Sequence, residues 1–401
     1  MIYRGTKRGV ESTALYIKET LLSTDHSAED DFIKYISEII DPNWSLIQCL
    51  NSGVAFHHAG LPKYILNEIV TQFNNNKLKA LIFSPTLVEG VNTSAKNVII
   101  ADNIKGSADL TGFDVKNIKG RAGRFGTHFI GRVISLVSLP DEDEIDTIQF
   151  NLLESTDLSP EENILLNNKD LSTSEKKKRK EFKNILREQN IPYELVKSNK
   201  YLSIHNQIRL INYLRNNDDI VTDLYFSGQI PYTHQFDEII EIIFNYLFSD
   251  TERNHRNYDL VKLKRFTKYY LYKNQSIKNL IKIWDYSDNI DVKVRNIFTL
   301  VYQYFEFKLP RYLSAFENIY NFVSRNQINL KYVITLLEYG SLQNADMVLK
   351  EAGVPPDIIN KISDSLSDCN NLDDIKLKLS LHPTVIDNLT SFEKQLLYKY
   401  I

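Results

Sequence analysis

Short apolar runs alternate with helical patterns over the first 140 residues, and this alternation constrains the fold more than any other feature. The runs cover residues 53–56, 79–83, 97–101 and 131–139. Strands that are apolar on successive residues are typical of a parallel sheet buried on both faces. Alternating strands and helices build such a sheet through crossover connections. We therefore predict an α/β lobe with a parallel sheet that ends near Pro140.

The rest of the chain has helical periodicity and few glycines. The segment Ser-Pro-Glu-Glu at 159–162 predicts a helix start, because it places proline and acids in a first turn. We predict three domains: the α/β lobe at 1–147, a helical region at 148–250 and a second helical domain at 251–401. A winged-helix-like module over 185–211 is one arrangement of the middle region.

Composition excludes several classes of protein. The chain of 401 residues is 43% hydrophobic and 25% charged, as in ordinary soluble globular proteins. Cys49 and Cys369 define neither a disulfide framework nor a zinc cluster. No apolar run reaches the roughly 18 residues of a membrane helix, and no signal peptide is evident. We expect a cytoplasmic protein with no membrane partner and no metal site of its own.

The sequence Asn-Ile-Lys-Gly-Arg-Ala-Gly-Arg at 117–124 places Arg121 and Arg124 three residues apart, with Gly120 before them. A guanidinium keeps its charge and offers donors in a flat fork that matches phosphate oxygens. Two of them in a compact turn suit a polyphosphate, although an isolated octapeptide of this kind is as readily a surface turn.

Two further blocks precede this arginine turn. His-His-Ala-Gly-Leu stands at 57–61, and Ser-Pro-Thr-Leu-Val-Glu-Gly-Val-Asn stands at 84–92. In this order and spacing, the three blocks resemble the second RecA-like lobe of superfamily 2 helicases, closest to the Ski-like and archaeal repair-helicase branch. The resemblance covers about the first third of the chain and implies a RecA-like lobe of the P-loop NTPase fold.

The resemblance implies half of a site for ATP with Mg²⁺. Arg121 and Arg124 would be the catalytic residues and reach the γ-phosphate. Gly90, Asn92, Asn117 and Gly120 would bind ATP, with Asn117 where relatives usually have Gln. The sequence contains no Gly-x-x-x-x-Gly-Lys-Ser/Thr loop, and the acidic string at 141–144 lacks the position of a magnesium-binding box. We expect a first RecA-like lobe, in the same polypeptide or a separate chain, to supply both.

The resemblance also implies contacts with single-stranded nucleic acid, DNA or RNA. The hydroxyls of Ser84 and Thr86 would hold phosphodiester oxygens, a contact that reads no bases. Three residues of the His-His-Ala-Gly block would shape the loop beside the strand: His57, His58 and Gly60. Thr6 would touch the backbone from the first loop, or be part of a solvated turn.

A third set of candidates lies in the helical region. Between 256 and 282 basic residues recur among aromatics and only Asp259 opposes them, so Lys264 and Lys268 are candidates for tracking a strand. An ordinary amphipathic helix is the competing interpretation. The lysine tract at 176–180 is a candidate electrostatic contact, but a solvated helix face is the favoured interpretation.

The sequence therefore predicts the C-terminal half of an ATP-dependent superfamily 2 helicase or translocase, inactive without its first lobe. The alternative is a non-catalytic nucleic-acid-binding or scaffold protein derived from a helicase. A faint similarity to bacterial helicases that work beside nucleases adds phage defence as a setting.

Overall fold

The structure, a computed structural model, describes residues 1–20, 28–90, 95–123, 130–141, 158–254, 258–273 and 276–401, with backbone alone for 88–90. The chain forms two compact units. Unit 1 comprises Met1–Ile148, Ile277–Thr299 and Gln343–Ile401. Unit 2 comprises Gln149–Ser276 and Leu300–Leu342. The three domains predicted from the sequence stay a prediction.

Unit 1 contains the predicted parallel sheet. The described strands are β1 (Ile2–Tyr3), β2 (Val54–His57), β3 (Ala80–Phe83), β4 (Asn97–Ile100), β5 (Ile104–Lys105), β6 (Ala108–Asp109) and β7 (Arg132–Ser135). Five of them form a sheet in the order β2-β3-β1-β4-β7, and every neighbouring pair is parallel. The short β5 and β6 form a separate antiparallel pair. The predicted α/β fold class is confirmed.

The helices are numbered along the chain. Those before residue 141 are α1 (Lys7–Thr20), α2 (Asp30–Ile39), α3 (Ser45–Asn51), α4 (Lys63–Asn74), α5 (Pro85–Gly90) and α6 (Gly112–Lys119). Those between 158 and 273 are α7 (Pro160–Leu165), α8 (Thr173–Glu188), α9 (Tyr193–Ser198), α10 (Ile204–Arg215), α11 (Asp218–Asp223), α12 (Thr233–Tyr246), α13 (Asp250–Arg253) and α14 (Leu260–Tyr272).

The remaining helices are α15 (Ile277–Lys282), α16 (Ile290–Thr299), α17 (Leu309–Val323), α18 (Lys331–Tyr339), α19 (Asn344–Ala352), α20 (Pro356–Ile362), α21 (Leu372–Leu381) and α22 (Ser391–Tyr400). A π-helix covers Leu300–Lys308, and short 3₁₀ helices cover Asn168–Asp170, Ser363–Leu366 and Pro383–Ile386. No helix in the described residues has the length and apolarity needed to cross a membrane.

Local chemistry explains several of these boundaries. The predicted helix start at 159–162 is confirmed at α7: the Glu162 amide donates to Ser159 Oγ over 3.2 Å, and the Ser159 amide donates to the Glu162 carboxylate over 2.9 Å. This capping box satisfies amides that lack helical partners. Every regular element in the described part of 158–250 is helical, so no strand of a wing lies there. The winged-helix-like module stays a prediction.

The core of unit 1 joins residues that lie far apart in the sequence. Trp44 packs edge to face on Phe56 of β2, with ring centroids 6.3 Å apart, and on Phe298 of α16, at 5.8 Å. The ring centroid of Phe392 on α22 lies 5.4 Å from that of Tyr35 on α2. Such buried aromatic contacts contribute more than their buried area alone. Helices from the end of the chain therefore complete the unit that contains the sheet.

Candidate functional site

Three loops leave the carboxyl-terminal edge of the sheet side by side. Strands β1, β2 and β3 end at Tyr3, His57 and Phe83. The amide of Ser84 donates to His57 O over 3.0 Å, and the amide of Arg4 donates to Phe83 O over 2.9 Å. Because parallel strands end at the same edge, the loops after them are neighbours. The structure thus brings together the six candidates from this part of the lobe: Thr6, His57, His58, Gly60, Ser84 and Thr86.

The hydroxyl pair at the start of α5 has one buried and one exposed member. Ser84 Oγ lies 3.2 Å from Thr86 Oγ1. Ser84 is 5% exposed, whereas Thr86 is exposed. A hydroxyl both donates and accepts. Ser84 can therefore orient the Thr86 hydroxyl, which remains open to a phosphodiester oxygen.

Thr6 begins α1. Its Oγ1 accepts a hydrogen bond from the Gly9 amide over 3.1 Å, which caps the helix N-terminus. Lys7 follows it, half-buried, and burial lowers the pKa of its ammonium below the ordinary value, with a further lowering from the nearby charge of Arg295. The loop after β1 therefore presents a partly desolvated cation beside a helix N-terminus, where anions are favoured.

His58 is a buried residue whose two ring nitrogens both have partners. The Gly60 amide donates to Nδ1 over 3.1 Å, and Nε2 lies 3.0 Å from Glu11 Oε1. Because Nδ1 accepts, the proton of the neutral ring sits on Nε2 and is donated to Glu11. The ring also stacks on Phe56, with planes 4° apart. A Cβ at Gly60 would lie 3.0 Å from His58 Nδ1, so glycine allows the loop to close on the ring.

Glu11 connects this loop to α16. Its carboxylate accepts from His58 and forms an ion pair with the Arg295 guanidinium. Burial alone would raise the pKa of Glu11, but the hydrogen bonds from His58 and Arg295 outweigh it and lower that pKa below its usual range. Neither Glu11 nor Arg295 was predicted from the sequence as a residue of this site. Glu11 lies one helical turn after Lys7, and this spacing could have indicated that it faces the same loop. Nothing in the sequence near Arg295 indicates its pairing with Glu11.

His57 lies in the core rather than on the surface. Its side chain is 2% exposed, and neither ring nitrogen has a hydrogen-bond partner among the described residues. Burial, together with the neighbouring His58, lowers the pKa of His57 to about 4. The ring is therefore neutral at physiological pH and contributes packing at the end of β2. The predicted contacts of both histidines with nucleic acid stay predictions.

The arginine turn lies at the opposite edge of the sheet. The Ala95 amide donates to Arg121 O, and the Gly123 amide donates to Ala95 O, both over 2.9 Å. Ala95 lies just before β4, separated from it by Lys96, so these bonds place the turn at the amino-terminal edge. Arg121 is partly buried, and Asn117 and Gly120 lie at the C-terminal end of α6.

Glycine is required on both sides of the contact between this turn and the start of β7. Gly123 has φ +71°, a conformation that L side chains rarely adopt. A Cβ on Gly131, just before β7, would lie 2.3 Å from the carbonyl carbon of Ala122 and 2.4 Å from the amide of Gly123. Gly131, which the sequence analysis did not select, therefore allows β7 to begin directly against the arginine turn.

Helix α5 lies between β3 and β4 in the chain. It starts beside Ser84 at the carboxyl edge and ends at Gly90, and the chain reaches the amino edge at Ala95. Gly90 is described by its backbone only, and two predicted site residues, Asn92 and Arg124, lie outside the described residues. Among the described residues, Ser84 lies at the edge of the strand-contact candidates and Ala95 lies beside Arg121 at the other edge.

The lysine candidates of unit 2 are paired with acids from another helix. Lys268 Nζ on α14 lies 2.7 Å from Asp237 Oδ2 on α12. Lys264, also on α14, forms an ion pair with Glu241 of α12. From the sequence, only Asp259 opposed these cations, and the carboxylates of α12, which are distant in sequence, were not predicted as partners. The contact of Lys264 and Lys268 with a nucleic-acid strand stays a prediction. No group of three or more metal-ligating side chains occurs among the described residues.

Comparison with known proteins gives partial similarities. No protein-family model matches the sequence. Anti-bacteriophage protein B of Escherichia coli strain K12 is 25% identical over an alignment of 410 residues, which covers 94% of this chain and 55% of that protein. ATP-dependent DNA helicase Hel308 of Methanocella arvoryzae is 29% identical over 153 residues, 35% of this chain and 21% of its own. Hel308 of Thermoplasma acidophilum is 35% identical over 119 residues, 29% of this chain and 17% of its own.

The Hel308 similarities cover about a third of the chain and, together with the parallel sheet, support a helicase-related protein. The chain spans about half the length of the E. coli relative and about a fifth of that of the archaeal helicase from Methanocella. The similarity to the E. coli protein extends over both the sheet and the helical regions, since it covers 94% of the chain.

Proposed function

We propose that this chain supplies the second RecA-like lobe and the helical region of an ATP-dependent helicase or translocase of the Ski-like branch. The observation that carries the proposal is the attachment of the arginine turn to Ala95 by two backbone hydrogen bonds of 2.9 Å. These bonds hold Arg121 beside Ala95, which follows the block at 84–92 closely in the sequence. We infer that these two helicase-like motifs come together at this edge of the sheet.

At this edge Arg121 and Arg124 would bind the γ-phosphate of ATP. Guanidinium groups are suited to the charge that develops on a transferring phosphoryl group, because they keep their own charge and donate from fixed positions. Asn117, Gly120 and the end of α5 would line the nucleotide around them. The chain's described residues hold no carboxylate cluster for Mg²⁺, so a first lobe would provide the metal ligands and the phosphate-binding loop.

At the opposite edge Thr6, Ser84 and Thr86 would bind the phosphate backbone of a single strand. Hydroxyl contacts of this kind fix the position of a strand without selecting its sequence. Because α5 follows Ser84 directly and is part of the chain that joins Ser84 to Ala95, we expect a shift of the arginine turn on ATP binding to reach the hydroxyl pair. Lobe closure and opening would then move the strand contacts in each ATP cycle.

A second candidate function is non-catalytic, with phage defence as its setting. The similarity to Anti-bacteriophage protein B covers nearly the whole chain, whereas the Hel308 similarities cover about a third of it. A scaffold derived from a helicase would keep the sheet and the strand contacts. It would have no use for an arginine turn held in position by Gly123 and Gly131.

ATP turnover separates the two candidates. The chain is mixed with, or joined to, a first RecA-like lobe that carries a phosphate-binding loop, and hydrolysis is measured without a strand, with single-stranded DNA and with RNA. The helicase proposal predicts strand-stimulated turnover that requires both parts. A mixture that binds strands tightly but never hydrolyses ATP would support the scaffold.

A further inference from the structure

An arginine of unit 2 lies against two exposed aromatic rings. The Arg311 guanidinium carbon is 3.6 Å from the ring centroid of Phe307 and 4.9 Å from that of Tyr201. Tyr201 is 66% exposed and Phe307 is 52% exposed. Lys200 Nζ lies 5.3 Å from the Tyr201 centroid. We refer to these four residues as the aromatic–arginine cluster.

The backbone that carries the cluster is well anchored. Phe307 and Arg311 are four residues apart at the junction of the π-helix and α17, so they lie on adjacent turns. Tyr201 lies in the turn before α10, where buried Gln207 donates to the carbonyls of Asn199 and Leu202 over 3.1 and 3.2 Å. Asn318 of α17 donates to the Asn199 side chain over 2.9 Å. The turn that carries Tyr201 is therefore anchored, both to itself and to α17, before any ligand arrives.

Among the residues that the structure describes, the cations of the cluster have no carboxylate partners. Neither Arg311 nor Lys200 forms an ion pair within the part of the chain that the structure describes, whereas Lys264 and Lys268 of the same unit both do. A guanidinium stacks on rings through its flat face, which leaves the N–H groups at its edge able to donate to phosphate oxygens. Arg311 therefore combines a fixed position with open donors.

The sequence around Tyr201 is strongly basic. Residues 176–215 contain eleven Lys and Arg against three Asp and Glu, a net charge of +8 in a chain whose net charge is −3. Such a concentration of positive charge attracts a polyanion at long range. Exposed aromatic faces beside it favour an anion that also has rings to stack, which an acidic peptide does not offer.

We propose that the aromatic–arginine cluster binds single-stranded nucleic acid. A base would stack on an exposed face of Tyr201 or Phe307, and Arg311 and Lys200 would hold the adjoining phosphate. This is the combination by which proteins bind single strands without regard to sequence. The inference rests on the proposed function only in its choice of ligand, and it adds a strand contact outside the lobe.

The test is fluorescence anisotropy of a labelled twenty-nucleotide oligo(dT) titrated with the whole chain at two salt concentrations. Tyr201→Ala and Phe307→Ala are each expected to weaken binding by about tenfold, because stacking on an aromatic ring contributes substantially per base. Arg311→Gln is expected to weaken binding and to lower the salt dependence by about one phosphate contact. Tyr232→Ala, at a tyrosine 73% exposed in the same unit, is the matched control and should bind like the wild type.

Three results would overturn the cluster as a nucleic-acid site. These are wild-type affinity in all three cluster variants, no binding of oligo(dT) by the unmodified chain, or equal displacement of the oligonucleotide by polyglutamate. Thr86→Val distinguishes the two proposals. If Thr86→Val weakens binding and the cluster variants do not, the cluster proposal fails and the proposed function stands. If the cluster variants weaken binding but no first lobe restores ATP turnover, the cluster proposal stands and the helicase proposal fails.

Discussion

Glu11 Oε1 lies 3.0 Å from His58 Nε2, and the same carboxylate forms an ion pair with Arg295. One acid on α1 therefore connects the loop after β2 with α16, a helix more than two hundred residues further along the chain. The His-His-Ala-Gly loop is positioned by this carboxylate, by the amide of Gly60 and by the ring of Phe56. The loop of a predicted strand-contact motif is thus held in part by two residues outside the motif, Glu11 and Phe56.

Removal of the Glu11 charge should destabilise unit 1. In Glu11→Gln the Arg295 guanidinium, whose side chain is 23% exposed, loses its counter-charge, and we expect a loss of about 1 to 3 kcal/mol in the free energy of unfolding. Urea denaturation measures this loss in the free energy of unfolding. Glu19→Gln, at an exposed glutamate of the same helix, is the control and should change stability little. Equal stability of the two variants would show that the ion pair contributes nothing.

The Glu11 contribution has a defined pH dependence. The folded pKa of Glu11 is lowered, so its stabilisation is present above the unfolded pKa and is lost as the pH falls through the folded pKa. The stability difference between wild type and Glu11→Gln should therefore shrink in acid. A difference that stayed constant down to pH 3 would contradict this assignment.

Ionisation of Asp357 should affect the stability of the fold in the opposite direction to ionisation of Glu11. Burial raises the pKa of this carboxyl to about 6, although Tyr35 donates a hydrogen bond to it over 2.9 Å, and Glu393 and Lys361 also act on it. Its ionisation therefore costs the folded state stability as the pH rises from about 4 to about 6, a total of about 3 kcal/mol.

Asp357→Asn should remove that cost. We expect the variant to gain stability relative to the wild type as the pH rises from 4 to 7, and denaturation curves across this range measure the gain. Tyr35→Phe is a useful companion because it removes the donated hydrogen bond and keeps the ring. A pH-independent difference between Asp357→Asn and the wild type would mean that Asp357 titrates normally.

Gly131→Ala should disturb the arginine turn. The added Cβ would meet backbone atoms of Ala122 and Gly123 at 2.3 to 2.5 Å, so the turn or the start of β7 must move. Overpacking of this kind costs about 1 to 3 kcal/mol. Thermal unfolding measures the loss. Gly228→Ala, where the nearest atom is 3.6 Å from the added Cβ, serves as the control. Equal melting temperatures for the two variants would disprove the close contact.

The acids of α12 should oppose any strand contact of α14. In Asp237→Asn with Glu241→Gln, the charges of Lys268 and Lys264 are released, and the partly exposed pairs contribute only about 0 to 1 kcal/mol each to stability. If α14 follows a strand, oligonucleotide affinity should rise and its salt dependence should steepen. An unchanged oligonucleotide affinity would indicate that the nucleic-acid strand binds elsewhere, and it would count against Lys264 and Lys268 as contacts.

The parallel sheet could be predicted from the sequence, because β2, β3 and β4 are short apolar runs that can be recognised from their own residues. The sequence was also sufficient for the start of α7, where capping depends on residues three apart. The carboxylate partners of His58 and of Lys264 could not be predicted. They are Glu11 on α1 and Glu241 on α12, and no periodicity or spacing in the sequence indicates contacts at that separation. The backbone contact that requires Gly131 was missed for the same reason.

The central claim is that Arg121 and Arg124 act on the γ-phosphate. The measurement that tests it most directly is strand-stimulated ATP turnover, with kcat and KM determined separately, of the chain combined with a first RecA-like lobe. Arg121→Lys and Arg124→Lys keep a positive charge but lose the planar fork. Lys116→Gln removes an exposed cation from the preceding helix α6 and is the control.

The account predicts that kcat falls by on the order of a thousandfold in each arginine variant, as for the loss of an arginine finger, with little change in KM and in Lys116→Gln. Turnover in both arginine variants equal to that of Lys116→Gln would contradict it.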